Sequence, residues 1–200
     1  EFHPEGDVWT HVQGLFEHLD APGSNLAWSA LLHDIGKPPT FKVEDRIRFN
    51  GHDVVGAKMA AEICSRMKMS NEASERICNL VAQHMRIRHV REMRPSKLKR
   101  LLRAPYFPEL LELHRADCLA SHGKLDLYEF CREQLVESDE QTLRPPILLS
   151  GRELIAEGFV PGPVFREIFI ALEDAQLEGR VSNRDEALEF VLRNFSPGPV

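Results

Sequence analysis

Apolar residues recur at three- and four-residue steps along almost the whole chain, and this helical periodicity most constrains the fold. The clearest stripe comprises Trp9, Val12, Leu15, Phe16 and Leu19, which lie on one face of an amphipathic helix. No stretch shows a convincing alternation typical of a strand, and there is no internal repeat or low-complexity tract. The sequence therefore predicts an all-α fold.

Cap and breaker residues divide this pattern into elements. Asp7 is expected to cap the first helix and Ser24 the second, which should end at Gly36 because Pro38-Pro39 cannot continue it. Later helices are expected at 52–69, from Ser70 through His84, from Pro95, from Pro108 to Asp117, and at 125–136, 152–157, 164–178 and 184–193. Residues 138–151 contain Pro145-Pro146 and indicate a linker. We therefore predict a helical bundle over 1–137 and a linker with a C-terminal helical appendage over 138–200.

The composition excludes several classes of protein. The chain is 42% hydrophobic and 28% charged with a net charge of −6, as is ordinary for a soluble globular protein. Its apolar runs are only a few residues long, which excludes a membrane span. The four cysteines form no C-x-x-C pair, so we expect buried thiols and a reducing, cytoplasmic location. Because the sequence begins with Glu1 rather than Met, we expect a fragment of a longer chain.

Histidine and aspartate residues recur on successive predicted helices. They are His11, His33, Asp34, His52, His84 and Asp117. Their spacing lets each intervening segment cross a bundle and return, and a bundle can build a metal site from inward side chains. Neutral imidazole is a common ligand of divalent transition metals, and a carboxylate can bridge two ions. Asp34 is the natural bridge, since the carbonyls at a helix C-terminus favour a cation.

The local sequence around these residues resembles that of the HD superfamily of metal-dependent phosphohydrolases. It is most similar to the C-terminal half of bacterial tRNA nucleotidyltransferase/poly(A) polymerase-type proteins. The segments that carry the resemblance are His3–His11, Leu32–Lys37, Phe49–Asp53, Gln83–Arg86, Leu113–Cys118 and Leu149–Ile155. The resemblance covers essentially the whole chain.

The resemblance implies a role for each of these residues. His11, His33, Asp34 and Asp117 would hold a first metal ion, while His52 and His84 would serve a second ion or the substrate phosphate. Asp34 and Lys37 would be catalytic, with Lys37 touching phosphate. Mixed histidine and carboxylate ligands suit one or two ions of Mn, Fe, Co, Ni or Zn, with Mg also possible. The substrate would be a nucleotide or the end of a tRNA-like RNA.

A basic stripe lies between two of the proposed ligands. Residues 85–105 contain eight basic residues against Glu92 alone: Arg86, Arg88, Arg91, Arg94, Lys97, Lys99, Arg100 and Arg103. Such a cluster can neutralise nucleic-acid phosphates. It can equally be a solvated face that pairs with the acidic tail, and the sequence leaves both interpretations open.

Three functions are consistent with the sequence. The leading hypothesis is phosphomonoester or phosphodiester hydrolysis on nucleotides or RNA ends. The alternative is an RNA-binding body and tail whose HD site is catalytically silent, and a third is a structural or dimerising domain. No Asp-x-Asp follows Gly23-Ser24, so we expect no nucleotide-adding head within these 200 residues. The metal, the exact substrate, the oligomeric state and the roles of His3, His89 and His114 stay open.

Overall fold

A computed structural model describes residues 8–197, and the chain divides into two compact units. Among the described residues, the first unit comprises 8–91 and 104–133, and the second comprises 92–103 and 134–197. The segment 92–103 therefore lies in the second unit, although the sequence-based division placed it in the first. His3 and the predicted cap Asp7 lie outside the described residues.

The first unit is built almost entirely from helices. They are α1 (Val8–Glu17), α2 (Ser24–Leu32), α3 (Lys37–Thr40), α4 (His52–Arg66), α5 (Asn71–Gln83), a 3-10 helix (His84–Glu92), α7 (Phe107–Ser121) and most of α8 (Asp126–Glu137). The second unit contains α6 (Pro95–Leu102), α9 (Glu140–Leu143), α10 (Gly151–Ala156), α11 (Pro163–Leu177) and α12 (Arg184–Asn194). This confirms the all-α class. No helix within residues 8–197 combines the length and apolar character that crossing a membrane requires.

The two cap predictions that fall on described residues have different outcomes. Ser70 caps α5, and its side chain accepts a hydrogen bond from the backbone N–H of Ala73 at 3.1 Å, as predicted. The prediction for Ser24 is wrong, because Gly23 occupies the cap position without a side-chain hydrogen bond and Ser24 is already helical. Helix α2 ends at Leu32, and a turn through Gly36 leads into the short α3, which begins at Lys37. Pro38 lies in the first turn of α3, where a missing N–H is harmless.

Helix α2 lies between two apolar clusters of the first unit. Leu26 and Ala30 pack with residues of α1 and α7 such as Leu15 and Leu113. Leu32, at the end of the same helix, packs with residues of α4 and α5. Helix α2 is thus covered by α1 and α7 on one side and by α4 and α5 on the other, and these four helices can converge at its C-terminal end.

A short β-hairpin joins α3 to α4. Strand β1 (Lys42–Val43) pairs antiparallel with β2 (Ile47–Arg48), with Val43 opposite Ile47. These strands are not predicted from the sequence, because two residues per strand are too few to show an alternating pattern.

The second unit has its own apolar core. The buried residues are Leu149, Leu154, Phe159, Ile168, Leu172, Ala175, Val181, Ala187 and Val191. Ser150 caps α10 in a capping box with Glu153, which fixes the start of this part of the chain. A cavity of about 770 Å³ lies beside this core and is lined mainly by apolar side chains, with no histidine, aspartate or cysteine among them.

Candidate metal centre

Two triads of potential metal ligands meet at the end of α2. His11, His33 and Asp34 offer ligand atoms that all lie within 4.8 Å of one another, and Asp34, His52 and His84 form a second such group. All five residues are buried. The triads share Asp34, so one carboxylate faces both groups of histidines.

Backbone carbonyls orient three of the histidine rings. The Nδ1 atoms of His33, His52 and His84 lie 2.7–2.8 Å from the carbonyl oxygens of Ala30, Phe49 and Val81, each three residues earlier. A carbonyl can only accept, so each Nδ1 carries a proton, and each Nε2 presents a lone pair when its ring is neutral. This second contact of the ring is the usual way in which a metal-binding histidine is fixed.

The Nε2 atoms point towards one another and towards Asp34. The Nε2 of His33 lies 3.3 Å from Asp34 Oδ2, and the Nε2 atoms of His52 and His84 lie 3.5 and 3.8 Å from Asp34 Oδ1. The two carboxylate oxygens therefore face different triads, so Asp34 could offer one oxygen to an ion in each triad. The Nε2 atoms of His52 and His84 are only 3.0 Å apart. Two lone pairs at that distance require a proton or a cation between them.

Asp117 and Lys37 complete the centre. Asp117 Oδ1 on α7 lies 3.1 Å from the Nε2 of His11, and its side chain keeps 35% of its surface exposed. Lys37 Nζ lies 2.5 Å from Asp34 Oδ2 and 5.7 Å from the centre of the Phe49 ring. The structure thus brings together every residue that the sequence analysis assigned to metal binding or catalysis.

The electrostatics around Asp34 favour a cation. Burial works against a charge on His33, but the negative charge of Asp34 outweighs it and raises the pKa of His33 to about 9. Burial also works against a charge on Asp34, yet His33 and Lys37 hold the pKa of that carboxyl far below its usual range. Asp34 is therefore ionised and draws positive charge into the bundle.

The pKa values of Asp117 and His84 are shifted by burial and by the charged groups around them. Burial opposes ionisation of Asp117, but a hydrogen bond from His11 and the charge of His33 lower its pKa to about 2. Burial, reinforced by the positive charge of His33, lowers the pKa of His84 to about 4. Asp117 is therefore ionised and His84 neutral at pH 7, which are the forms that bind metal.

The donor set fits a divalent transition metal. Within the described residues, the buried Nε2 of His33 makes no regular hydrogen bond, although Asp34 is close. Buried polar atoms rarely lack a hydrogen bond unless they have another function. Four imidazoles and two carboxylates are available, which is a mixture that suits Mn, Fe, Co, Ni or Zn.

A close backbone approach holds the two halves of the centre together. A Cβ atom at Gly36 would lie 2.0 Å from the carbonyl oxygen of His52 and 2.6 Å from the backbone nitrogen of Gly56. No side chain fits in this space. Glycine at position 36 therefore lets the turn after Asp34 lie directly on the first turns of α4, which carries His52.

Comparison with known proteins identifies the family. The sequence profile described as "HD domain" matches residues 7–121, which is more than half of the chain. The chain belongs to the HD domain family. The match spans α1 to α7, a range that includes all six proposed ligands, and it confirms the resemblance to the HD superfamily.

Similar proteins include two tRNA nucleotidyltransferases. An A-adding tRNA nucleotidyltransferase from Deinococcus radiodurans is 35% identical over 94% of this chain and 46% of its own length. A CC-adding tRNA nucleotidyltransferase from Thermus thermophilus is 35% identical over 92% of this chain and 44% of its own. A multifunctional CCA protein from Laribacter hongkongensis is 31% identical over 62% of this chain and 32% of its own. The chain spans less than half the length of these curated relatives.

The candidate metal centre of this HD domain opens into a cavity of about 510 Å³. The lining residues outside the proposed ligand set include Lys37, Arg46, Arg48, Phe49, Asp53, Met85, Arg88, His114, Cys118 and His122. Arg46, Arg48 and Phe49 are not among the residues predicted from the sequence to form the site, because the hairpin that carries the arginines was not predicted. The sequence feature that could have indicated these residues is the basic and aromatic run shortly before His52.

His114 also lies in this cavity. It is buried, and its Nε2 is 3.5 Å from the Sγ of Cys118 on the next turn of α7. Burial lowers the pKa of His114. His114 lines the cavity and belongs to neither triad.

The structure divides the basic stripe between the two units. Arg86 donates to the side chain of Gln83, Arg88 lines the metal cavity, and Arg91 lies over the ring of Phe130, all in the first unit. In the second unit, Lys97 is exposed and Lys99 donates to the carbonyl of Leu177.

The last two arginines of the stripe are engaged by acidic residues. Arg100 pairs with Glu173 and Asp174 on α11, and Arg103 Nη2 lies 2.6 Å from Glu173 Oε1. The pairing with the acidic tail, one of the two interpretations left open, therefore applies to these residues. Nucleic-acid binding by the stripe as a whole stays a prediction.

Proposed function

We propose that this chain is the HD portion of a tRNA-processing protein and that it hydrolyses phosphomonoesters or phosphodiesters on nucleotides or RNA ends. The observation that carries the proposal is the pair of buried triads that share Asp34. A single carboxylate between two groups of histidines is an arrangement suited to two neighbouring cations. The tRNA context comes from the relatives, which are named for acting on tRNA.

The chain's own residues have distinct tasks in this proposal. Ions held by His11, His33, Asp34 and Asp117, and by His52 and His84, would supply Lewis acidity and lower the pKa of water. Asp34 holds the two halves of the centre in register through its separate oxygens. Lys37, already 2.5 Å from Asp34, places an ammonium group at the cavity surface, where it can donate to a phosphoryl oxygen.

Metal content and turnover test the proposal together. The protein is loaded with Mn, Co, Ni or Zn, passed through gel filtration and subjected to elemental analysis. Hydrolysis of p-nitrophenyl phosphate and bis(p-nitrophenyl) phosphate is then measured. We expect retained metal and turnover, and we expect His33→Ala to lose the metal.

Asp34→Asn separates chemistry from folding. The amide keeps the shape of the carboxylate but loses the charge that draws in cations, so turnover should fall at least a hundredfold while the helical circular dichroism is kept. Asp20→Asn is the matched control, because Asp20 is exposed in the loop before α2. Unchanged hydrolysis in Asp34→Asn would show that the activity arises elsewhere.

RNA binding with a silent metal centre is the second candidate, favoured by the similarity to tRNA nucleotidyltransferases over more than nine-tenths of the chain. Arg86, Arg88, Arg91 and Lys97 are the members of the stripe to change, because Arg100 and Arg103 also stabilise the second unit. Loss of phosphate contacts should weaken tRNA binding and flatten its salt dependence. Tight RNA binding without any hydrolysis would favour this candidate over the first.

A further inference from the structure

The cavity above the candidate metal centre is lined by four cationic side chains and three carboxylates. Its lining includes Lys37, Arg46, Arg48 and Arg88 against the carboxylates of Asp34, Asp53 and Asp117. Bound divalent ions would make the lining still more positive. The substrate expected there is therefore anionic.

Two of these four cations are already compensated. Lys37 pairs with Asp34, and Arg48 pairs with Asp45 at 2.7 Å and Glu44 at 3.2 Å on its own hairpin. Their charges are largely satisfied within the first unit before any substrate arrives. The remaining cationic side chains of the lining are Arg46 and Arg88.

Arg46 and Arg88 differ from the other two. Among residues 8–197, no carboxylate lies within ion-pair distance of either guanidinium, and the side-chain contact of Arg88 is to the sulfur of Met85 at 3.9 Å. Both side chains are exposed yet line the cavity. Arg46 comes from the hairpin before His52, and Arg88 comes from the 3-10 helix after His84. They thus reach the cavity from the two elements that flank the second triad.

We propose that Arg46 and Arg88 form a second anion-binding subsite, which takes a phosphate group of the substrate other than the one being hydrolysed. The inference rests on the proposed function, because it assumes that the reacting phosphate occupies the metal centre. Guanidinium groups bind phosphate through charge-assisted hydrogen bonds. A volume of about 510 Å³ is in the range of sites that enclose a whole small ligand rather than a lone phosphate.

The subsite specifies a substrate class. A nucleotide with a terminal phosphate on one sugar oxygen and a second phosphate on the 5′ oxygen would fill both positions. The last nucleotide of an RNA chain that ends in a phosphate has this arrangement, because its 5′ phosphate links it to the preceding nucleotide. A simple phosphomonoester would leave Arg46 and Arg88 unused.

Two probes that differ by a single phosphate test the subsite. Release of the 3′ phosphate from adenosine 3′-phosphate and from adenosine 3′,5′-bisphosphate is measured with the Mn-loaded protein. The affinity for each probe is measured by calorimetry on the metal-loaded Asp34→Asn variant. If that variant loses metal, the affinities are measured on the metal-free protein. We expect wild-type kcat/KM to favour the bisphosphate at least tenfold. Arg46→Gln and Arg88→Gln should each reduce that preference by about tenfold, because each removes a charged hydrogen bond.

The controls separate the subsite from general effects of charge. Arg66→Gln changes an exposed arginine at the end of α4, outside the cavity, and should keep the preference of the wild type. Arg46→Lys should restore part of it. Equal use of the two probes by the wild type, or an unchanged preference in both glutamine variants, overturns the subsite.

The affinities distinguish failure of the subsite from failure of the proposed function. If neither probe is hydrolysed, the proposed function fails. A tighter affinity for the bisphosphate that falls in the Arg46 and Arg88 variants would still support the subsite, and equal affinities would overturn it. If the variants lose turnover of both probes by the same factor, the arginines act at the reacting phosphate and the second subsite is wrong.

Discussion

In the first unit, ionisable side chains are buried around one point, whereas the second unit keeps its ionisable groups near the surface and buries an apolar core. His11, His33, Asp34, His52, His84 and His114 are all buried in the first unit. Among the described residues of the second unit, the only buried polar residue is Ser96. Burying charge is costly unless it is compensated, so the first unit gives up stability to hold a site, and the second does not.

The second unit should respond to changes in its core, and this is the largest effect we expect. Phe159 is 2% exposed within the apolar cluster, and Phe159→Ala should lower the free energy of unfolding by about 3–5 kcal/mol. Urea denaturation measures the loss. The neighbouring Val160 is 54% exposed, so Val160→Ala should change the stability little.

The comparison between the units would fail if Phe159→Ala also emptied the metal centre. Metal content per folded molecule is the deciding quantity. We expect it to equal that of the wild type, because the residues of both triads lie in the first unit.

The first unit should respond most to a change in backbone spacing. Gly36→Ala forces the turn after Asp34 away from α4, because its Cβ would overlap the carbonyl of His52. A displacement of about 1 Å in a catalytic constellation can reduce the rate on the order of a hundredfold. Steady-state hydrolysis and elemental analysis should both show the loss.

Gly14→Ala is the matched control for that change. A Cβ at Gly14 would lie 3.7 Å from the Cβ of Ala120, which is an ordinary contact, and alanine favours the helix. The control should therefore keep both metal and turnover. Full activity in Gly36→Ala would show that the close approach to α4 does not set the geometry of the centre.

The pH dependence of stability should distinguish the metal-free from the metal-loaded protein. In the metal-free protein the pKa of His33 is raised from 6.5 to about 9, so its contribution is complete below pH 6.5 and is lost as the pH rises through 9. The pKa of His84 is lowered to about 4, so stability also falls as the pH drops from 6.5 towards 4. Metal-free stability should therefore be highest near pH 6.5.

Metal loading should reverse the trend at alkaline pH, so that stability rises with pH instead of falling. His33 must release its proton to bind an ion, so metal affinity rises with pH up to about 9, by at most about 1.4 kcal/mol per pH unit for one proton. Thermal melts with and without Mn over pH 5–9 measure both trends. Parallel profiles for the two forms would contradict the placement of the metal on His33.

The smallest effect should come from the ion pairs of the second unit. Arg100 is 27% exposed and contacts Glu173 and Asp174, so Arg100→Gln should destabilise by about 1 kcal/mol. Arg193→Gln is the control, because the pair of Arg193 with Glu189 is more than two-thirds exposed and should contribute almost nothing. Equal effects of the two changes on urea denaturation would mean that the Arg100 cluster is not a stabilising contact.

The sequence by itself determined the helical class and the identity of the candidate ligands. A period of 3.6 residues is a local property, so it can be read without knowing which helices meet. His11, His33, Asp34, His52, His84 and Asp117 were also selected from their types and order along the chain. The family comparison confirms the family, and the structure brings these six residues together.

Only the tertiary structure decided how these residues are used. The separate directions of the two Asp34 oxygens, the contact of Gly36 with α4, and the presence of Arg46 in the cavity all depend on packing between segments far apart in the chain. The partners of Arg100 lie about 70 residues away, so no local pattern could distinguish a nucleic-acid contact from an internal ion pair. Local periodicity specifies which face of a helix is apolar, but the distances between side chains on different helices are set by how those faces pack.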